Sequence, residues 1–226
     1  MGPSRDRRRR SVRLVSAVRL AGVRTSWRTL DDGDFFCPGC GGDRRFRRRT
    51  GRRRLVLLGV PVLPRGTAGP VLECAVCRGH FGPEALDHPT SDRLAAMLRH
   101  AVHTIVLAVL GAGGAEAGAA REVAVESVRA IGFPDFTEDQ LLALLLAVSA
   151  DSSVSMEIEL HEALVPLAPH LAPGGRESLL LRGARVALAD GLYGAGEREV
   201  LASVGRSLGM DAEDVDRLLA AARTPS

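Results

Sequence analysis

Beyond Pro89, apolar residues recur every three to four positions, which is the spacing of amphipathic helices. Ser, Thr or Asp before each periodic stretch and Gly or Pro after it divide this region into seven helices. The predicted helices span residues 91–110, 116–131, 138–149, 155–165, 176–190, 196–208 and 212–222. Because short connections join them, the pattern predicts a compact all-α domain over residues 89–226.

Before Pro89 the apolar residues form short runs bounded by Gly and Pro, and residues 53–60 and 70–73 are predicted strands. Residues 1–30 are rich in Arg and are predicted to be a disordered basic extension, or sequence that precedes the native start. An amphipathic, surface-binding helix around Val12–Val23 is the alternative.

Membrane insertion and export are not expected from the sequence. The most apolar run, residues 104–115, is short and Gly-rich, so no transmembrane segment is predicted. Arg13, Arg19 and Arg24 interrupt what would be the apolar part of a signal peptide. The expected location is therefore the cytoplasm.

Four cysteines form two Cys-x-x-Cys pairs, Cys37 with Cys40 and Cys74 with Cys77. Two intervening residues let both thiolates of a pair reach one ion from a tight turn, and two such pairs complete a closed tetrahedral shell. The spacing predicts a structural Zn²⁺ site in a small β ribbon over residues 31–88. A closed shell leaves no position for substrate or water, so this metal would support the fold and not catalysis.

Buried thiols, a redox pair and two disulfides are the alternatives for these cysteines. A redox Cys-x-x-Cys normally opens a helix within a βαβ unit, and neither pair does. Disulfides need an oxidising compartment, and the sequence carries no export signal. A segment this short also buries too little apolar surface to fold securely alone, which explains a need for metal.

Charge divides the chain into a basic front and an acidic back, and all 30 basic residues are Arg. Residues 1–65 contain 18 Arg and five acids, whereas the stretch from Leu86 onward contains 11 Arg and 20 acids. A basic segment usually faces nucleic acid, an acidic membrane surface or an acidic protein partner. A GC-rich genome is the competing explanation, because it enriches Arg without selection for binding.

The densest basic run follows the first cysteine pair, with Phe46 interleaved. It consists of Arg44, Arg45, Arg47, Arg48, Arg49, Arg52, Arg53 and Arg54. Such a run suits contacts with phosphates, and no base-specific contacts are visible in it. It supports an alternative function, that of a zinc-ribbon regulator that binds nucleic acid.

An internal repeat relates residues 109–143 to residues 186–220 by a shift of 77 positions without a gap. Among the identities are Gly114/Gly191, Arg121-Glu122-Val123/Arg198-Glu199-Val200, Gly132/Gly209 and Leu141-Leu142-Ala143/Leu218-Leu219-Ala220. Shared glycines at turn positions argue against chance similarity between Ala- and Leu-rich helices, because glycine marks backbone geometry. The repeat predicts a duplicated seven-helix domain with a pseudo-twofold arrangement.

The segment from Ala189 to Glu199 resembles the turn motif of the tellurite-resistance TerB-like helical domain. In that motif an Ala-Asp-Gly ends one helix, a short polar turn follows, and acidic residues open the next helix. The resemblance covers residues 90–223, and a zinc ribbon before such a domain is similar to known members. It implies an all-α fold, an acidic surface with possible divalent-metal binding, a role in stress response or tellurite resistance, and no enzymatic activity.

Asp190 stands near a helix C-terminus and Glu197 near a helix N-terminus, so the turn can bring both carboxylates towards one Ca²⁺ or Mg²⁺ ion. The alternative interpretation is that they simply end one helix and begin another. In the first repeat Gly113 replaces Asp190 and Ala120 replaces Glu197, so a paired second site is not expected.

These features together predict a non-enzymatic adaptor in metal or tellurite stress, with a ribbon that docks a partner and an acidic domain that binds a cation or a second protein. No convincing Ser/His/Asp set, P-loop or dinucleotide motif is present in the sequence.

Overall fold

A computed structural model of the chain describes residues 21–58, 60–113, 116–149 and 153–223. The chain divides into two compact units, with the boundary between Asp87 and His88. We call the first the ribbon unit and the second the helical unit. The observed boundary lies one residue before the one expected from the sequence.

The ribbon unit is an antiparallel sheet of four strands in the order β1-β2-β3-β4. The strands are β1 (Ala21–Cys37), β2 (Gly42–Leu57), β3 (Val60–Cys74) and β4 (His80–Phe81), and a 3₁₀ turn follows at Pro83–Leu86. Short connections pair each strand with its neighbour in sequence, as expected of successive hairpins.

The core of the ribbon unit lies at the cysteine end of this sheet. Its buried residues are Phe35, Cys37, Phe46, Leu72 and Cys74. Phe35 meets Phe46 edge-on, with ring centroids 5.5 Å apart. A core of five residues, two of which are metal-ligand types, is too small to hold a sheet of this length by apolar burial alone.

The prediction of a disordered extension over residues 1–30 is wrong for residues 21–30, which lie in β1. These residues pair with β2, and Val23 lies opposite Leu55. Val23 and Trp27 fall on one face of the strand and Arg24 and Arg28 on the other, which is the two-residue periodicity of a strand. The alternative helix around Val12–Val23 is likewise excluded for residues 21–23, and residues 1–20 lie outside the described residues.

The prediction of one strand over residues 53–60 is also wrong, because β2 ends at Leu57 and β3 begins at Val60. Leu57 and Val60 are paired across the hairpin. Gly59 follows Leu58 in the sequence, but its neighbours are apolar and no Asn, Asp or Ser marks the turn. The other predicted strand, residues 70–73, is the end of β3.

The helical unit contains seven α-helices among the described residues, in the predicted order. They are α1 (Ser91–Gly113), α2 (Gly118–Ala130), α3 (Glu138–Ser149), α4 (Ser153–Leu164), α5 (Pro173–Ala187), α6 (Ala195–Ser207) and α7 (Ala212–Ala222). The start of α5 differs by three residues from the prediction, because Pro173 suits the first helical position.

Helix α1 is the centre of the helical unit and contacts α2, α3, α4, α5 and α6. Its second half is continuously buried from Thr104 to Leu110. Among the described helices α1 alone is long and apolar enough to cross a membrane by length and composition, and half of its apolar window is buried inside the unit. That burial is expected of the central helix of a packed domain.

Candidate metal centre

Strand ends and tight turns place the four cysteines. Cys37 ends β1 and Cys40 lies in the turn before β2, while Cys74 ends β3 and Cys77 lies in the turn before β4. The two turns are built alike: the Gly41 N–H donates to the Cys37 carbonyl, and the Arg78 N–H donates to the Cys74 carbonyl. Each hairpin therefore presents two sulfur atoms at the same end of the sheet.

The sulfur atoms of all four cysteines lie within 4.8 Å of one another. The Sγ atoms of Cys37 and Cys77 are 3.8 Å apart, and those of Cys40 and Cys74 are 4.0 Å apart. A tetrahedral site with metal–sulfur bonds of about 2.3 Å has sulfur–sulfur edges of about 3.8 Å. The donor set fits one tetrahedral ion, and the spacing is far from the 2 Å or so of a disulfide bond.

Backbone conformation in the turns explains part of the local sequence. Gly41 adopts a φ of 66°, in the left-handed region that favours glycine. Arg78 is the equivalent position in the second turn, since it follows Cys74 by four residues as Gly41 follows Cys37. It adopts a φ of 61° although it has a Cβ, which disfavours this conformation. Gly39 and Gly79 both face the ring of Phe81, and a Cβ on Gly79 would lie 3.0 Å from it. Larger residues would push the turns away from the sulfur cluster.

The two buried cysteines differ in acidity. Burial raises the pKa of Cys37 to about 12. Burial also acts to raise the pKa of Cys74, but the backbone N–H groups of Cys77 and Val76 outweigh it and lower the pKa to about 7. A bound metal requires thiolates, so binding must displace protons from this cluster and weakens as the pH falls.

A buried carboxylate next to the cluster was not identified from the sequence. Glu73 is only 7% exposed and forms ion pairs with Arg49 and Arg78, and its Oε2 lies 3.5 Å from Nε2 of His80. Burial acts to raise the pKa of Glu73, but the charge of Arg49 and the hydrogen bonds from Arg78 and His80 hold it below its usual value. The sequence feature that could have revealed this carboxylate is a single acidic residue in the otherwise apolar stretch 71–74. The network ties β2, β3 and β4 together beside Cys74.

We expect Glu73→Gln to lower the free energy of unfolding of the ribbon unit by about 2 kcal/mol at neutral pH, because Arg49 loses its counter-charge. The folded pKa of Glu73 is below the unfolded one, so its contribution is complete above the unfolded pKa and disappears as the pH falls through the folded pKa. The two proteins should therefore converge in acid.

Urea unfolding followed by the fluorescence of Trp27, whose ring lies 5.6 Å from that of His80, measures this difference at each pH. The measurements are confined to pH values at which both proteins retain one metal ion, because the ribbon unit loses its support once the metal is displaced. The exposed Glu84 provides the matched control, and Glu84→Gln should change nothing. Equal stability of Glu73→Gln and wild type at neutral pH would rule out a contribution from the carboxylate charge.

The structure separates the other predicted metal ligands from any such cluster. Among the described residues, the four cysteines are the one group of three or more His, Cys, Asp or Glu that could share an ion. Glu197 is buried, and its Oε2 accepts the N–H of Gly194 at 2.7 Å, which caps the start of α6. Asp190 is exposed. Cation binding by Asp190 and Glu197 stays a prediction.

The arginine run is divided between ion pairs and free guanidinium groups. Arg45 pairs with Asp34 at 4.0 Å, Arg48 with Asp31 at 3.4 Å, and Arg49 with Glu73. Arg44 donates to the carbonyl of Asp43. The others, Arg47, Arg52, Arg53 and Arg54, have no acidic partner among the described residues. The run is therefore not one uniform basic surface.

The fold and the sulfur cluster define the class of protein: a small four-cysteine β ribbon combined with an all-α unit of seven helices. The family model described as "Tellurite resistance protein TerB" matches residues 100–220, which is more than half of the chain. The chain belongs to this family. Neither the curated proteins nor the solved structures that were searched contain a match.

Proposed function

We propose that the protein is a non-enzymatic adaptor of the TerB type, acting in the cytoplasm in the response to metal or tellurite stress. The observation that carries this proposal is the closed set of four sulfur atoms in a chain that also contains a helical unit of the TerB family. Four cysteine ligands leave no coordination position for a substrate, so the metal serves the fold of a docking module. The helical unit offers the second binding surface, for a protein partner.

Zinc is the metal that we propose for the cluster. Four thiolates in a tetrahedron suit Zn²⁺ or iron, whereas the oxygen-preferring Mg²⁺ and Ca²⁺ are excluded by ligand type. Native mass spectrometry with metal analysis is the direct test and should find one zinc ion per chain. A chain that carries iron in that position, or folds its ribbon unit without metal, would overturn the assignment.

The internal duplication is supported by the helix bounds. Helices α2 and α6 are offset by 77 residues at both ends, and Gly132 and Gly209 after them both have a positive φ. A Cβ on Gly113 would collide with the carboxylate of Glu197. Under the duplication, Gly113 is the counterpart of Asp190, so a carboxylate at that position of the first repeat would face the acid of the second.

This pairing between repeats bears on the proposed cation site. By the same symmetry, Asp190 would face Ala120, the counterpart of Glu197. Each half of a two-site arrangement would then keep one carboxylate in this chain. If Asp190 and Glu197 nevertheless share Ca²⁺ or Mg²⁺, millimolar cation should add mass in the native spectrum and raise the melting temperature. Asp190→Asn should abolish both effects.

A nucleic-acid-binding regulator is the second candidate, favoured by the four arginines of the run that lack acidic partners. What speaks against it is that the remaining arginines are engaged within the ribbon unit. Phosphate contacts would give a steep dependence of the logarithm of the DNA affinity on the logarithm of salt concentration. A flat dependence would remove this candidate and leave the adaptor proposal intact.

A further inference from the structure

The far end of the ribbon unit is an exposed apolar hairpin. From Leu55 to Pro64 the sequence contains only Leu, Val, Gly and Pro. Leu55 pairs with Leu63 and Leu57 with Val60, so the described residues 55–58 and 60–63 form the end of the β2–β3 hairpin, which we call the apolar tip. Leu58 is 76% exposed, Val60 62% and Leu63 57%. None of them belongs to the buried clusters of the described residues.

The backbone at Leu58 indicates that the apolar side chain is not there for folding. Leu58 has a φ of 48°, in the left-handed region, within the two-residue connection between the paired Leu57 and Val60. Asn, Asp and Gly are favoured at such a position, because a Cβ makes this conformation strained for most other residues. Leu therefore adds strain and exposes apolar surface at once, which points to a role in binding.

Arginines without acidic partners surround the apolar tip. Arg52, Arg53 and Arg54 precede it in β2, and Arg65 follows it in β3. Arg24 of β1 lies directly opposite Arg54, a pairing of like charges that destabilises a sheet. We call these five residues the arginine collar. None of them forms an ion pair with another described residue.

We propose that the apolar tip inserts into the interface of a membrane that contains anionic lipid, with the arginine collar at the lipid phosphates. The paired residues from Arg54 to Leu57 cover about 10 Å at about 3.4 Å per residue, which matches the depth of interfacial insertion. Apolar side chains provide the burial, and guanidinium groups provide the preference for anionic head groups. This function goes beyond the adaptor role and does not depend on it.

The apolar surface of the tip continues onto β1 at Val23, which lies opposite Leu55. The position of Trp27 opposite Gly51 places it on the face of the sheet that carries Val23 and Leu55, because cross-strand partners share a face. Val23 is 54% exposed, so the apolar surface extends from the tip along that face. Trp27 lies three residues farther from the tip than Arg54, about 10 Å at about 3.4 Å per residue, so it stands on the water side of the lipid phosphates.

The same features fit other partners less well. A nucleic acid would engage the arginine collar but would form no favourable contacts with the six exposed apolar residues of the tip. A partner strand adding to the edge of β3 would meet Pro61 and Pro64, which cannot donate to a ladder. Strand β4 covers that edge only at Leu72 and Glu73.

The test uses the full, zinc-loaded chain and vesicles, with co-sedimentation as the measurement. Vesicles of equal parts phosphatidylcholine and phosphatidylglycerol should sediment with the protein. Vesicles of phosphatidylcholine alone should bind much less, and added salt should weaken the binding to anionic vesicles.

Leu58→Asn is the decisive variant. It supplies a residue favoured at the turn, so the ribbon unit should fold at least as stably as in the wild type. It removes the most exposed apolar side chain of the tip, and the affinity for anionic vesicles should fall about tenfold. Leu192→Asn, at a 73% exposed leucine of the helical unit, is the matched control and should bind as the wild type does.

Charge reversal tests the other half of the proposal. The double variant Arg52→Glu and Arg54→Glu should lose the preference for anionic over neutral vesicles. Wild-type affinity in Leu58→Asn would overturn the proposal. A second result would also overturn it: both Leu58→Asn and the wild type bind duplex DNA equally well, and neither binds vesicles. That result would assign the arginine collar to nucleic acid. A third result would overturn it as well: the wild type self-associates, Leu58→Asn does not, and neither binds vesicles. That result would assign the apolar tip to contact with a second copy of the chain.

Discussion

Cys74→Ser should abolish metal binding and unfold the ribbon unit, while the seven helices remain folded. A structural zinc ion contributes about 10–16 kcal/mol in small zinc domains, and this contribution is lost when the ligand shell is incomplete. The five-residue core of the ribbon unit includes Cys37 and Cys74 themselves, so little apolar burial remains to compensate. Circular dichroism should retain the helical signal, and the Trp27 fluorescence should become that of an exposed indole.

Val76 provides the matched control, because it lies between Cys74 and Cys77 and is 64% exposed. Val76→Ser should keep one metal ion per chain and the folded ribbon unit. The helical unit has its own large buried cluster, which includes Ile105, Leu180 and Leu201 and no residue of the ribbon unit. Loss of the helical signal on chelation would contradict independent folding of the two units.

The clustering of the four cysteines could be predicted from spacing alone, whereas most of the sheet could not. Two Cys-x-x-Cys pairs dictate turns that converge on one ion, whatever sequence connects them. The length of the strands depends on pairing between segments about 30 residues apart, such as Val23 with Leu55, and no local pattern specifies that pairing. The hairpin turn at Leu58 was missed for a related reason, since it uses a residue that turn chemistry disfavours.

The helical unit was more predictable because its elements are local. Gly132, Gly209 and Asp211 stand at helix ends where backbone geometry and capping require them, and the observed bounds follow these residues closely. What local pattern could not supply is which helix ends meet in space. Gly113 of α1 lies close to Glu197 of α6, although more than eighty residues separate them in sequence. A carboxylate at position 113 would therefore face Glu197, which the sequence alone did not indicate.

Gly183→Leu should destabilise the helical unit by about 3 kcal/mol, the second large effect that we expect. A glycine inside a helix normally costs stability, and α5 contains this one at a buried position. A Cβ there would lie 2.8 Å from Cγ2 of Ile105 and 3.0 Å from Cδ2 of Leu201. The absence of a side chain therefore lets α5 pack closely against both α1 and α6, and a larger residue must force these helices apart.

Gly174, in the first turn of the same helix, provides the matched control for Gly183→Leu. A Cβ at Gly174 would meet no atom within 4 Å, so Gly174→Leu should leave the unit unchanged or slightly stabilise it through helix propensity. Thermal unfolding of the full chain, followed by the helical circular dichroism signal, compares the two variants directly. Equal melting temperatures for the two variants would mean that α5 does not approach α1 and α6 as closely as Gly183 permits. The packing described above for the centre of the helical unit would then be wrong.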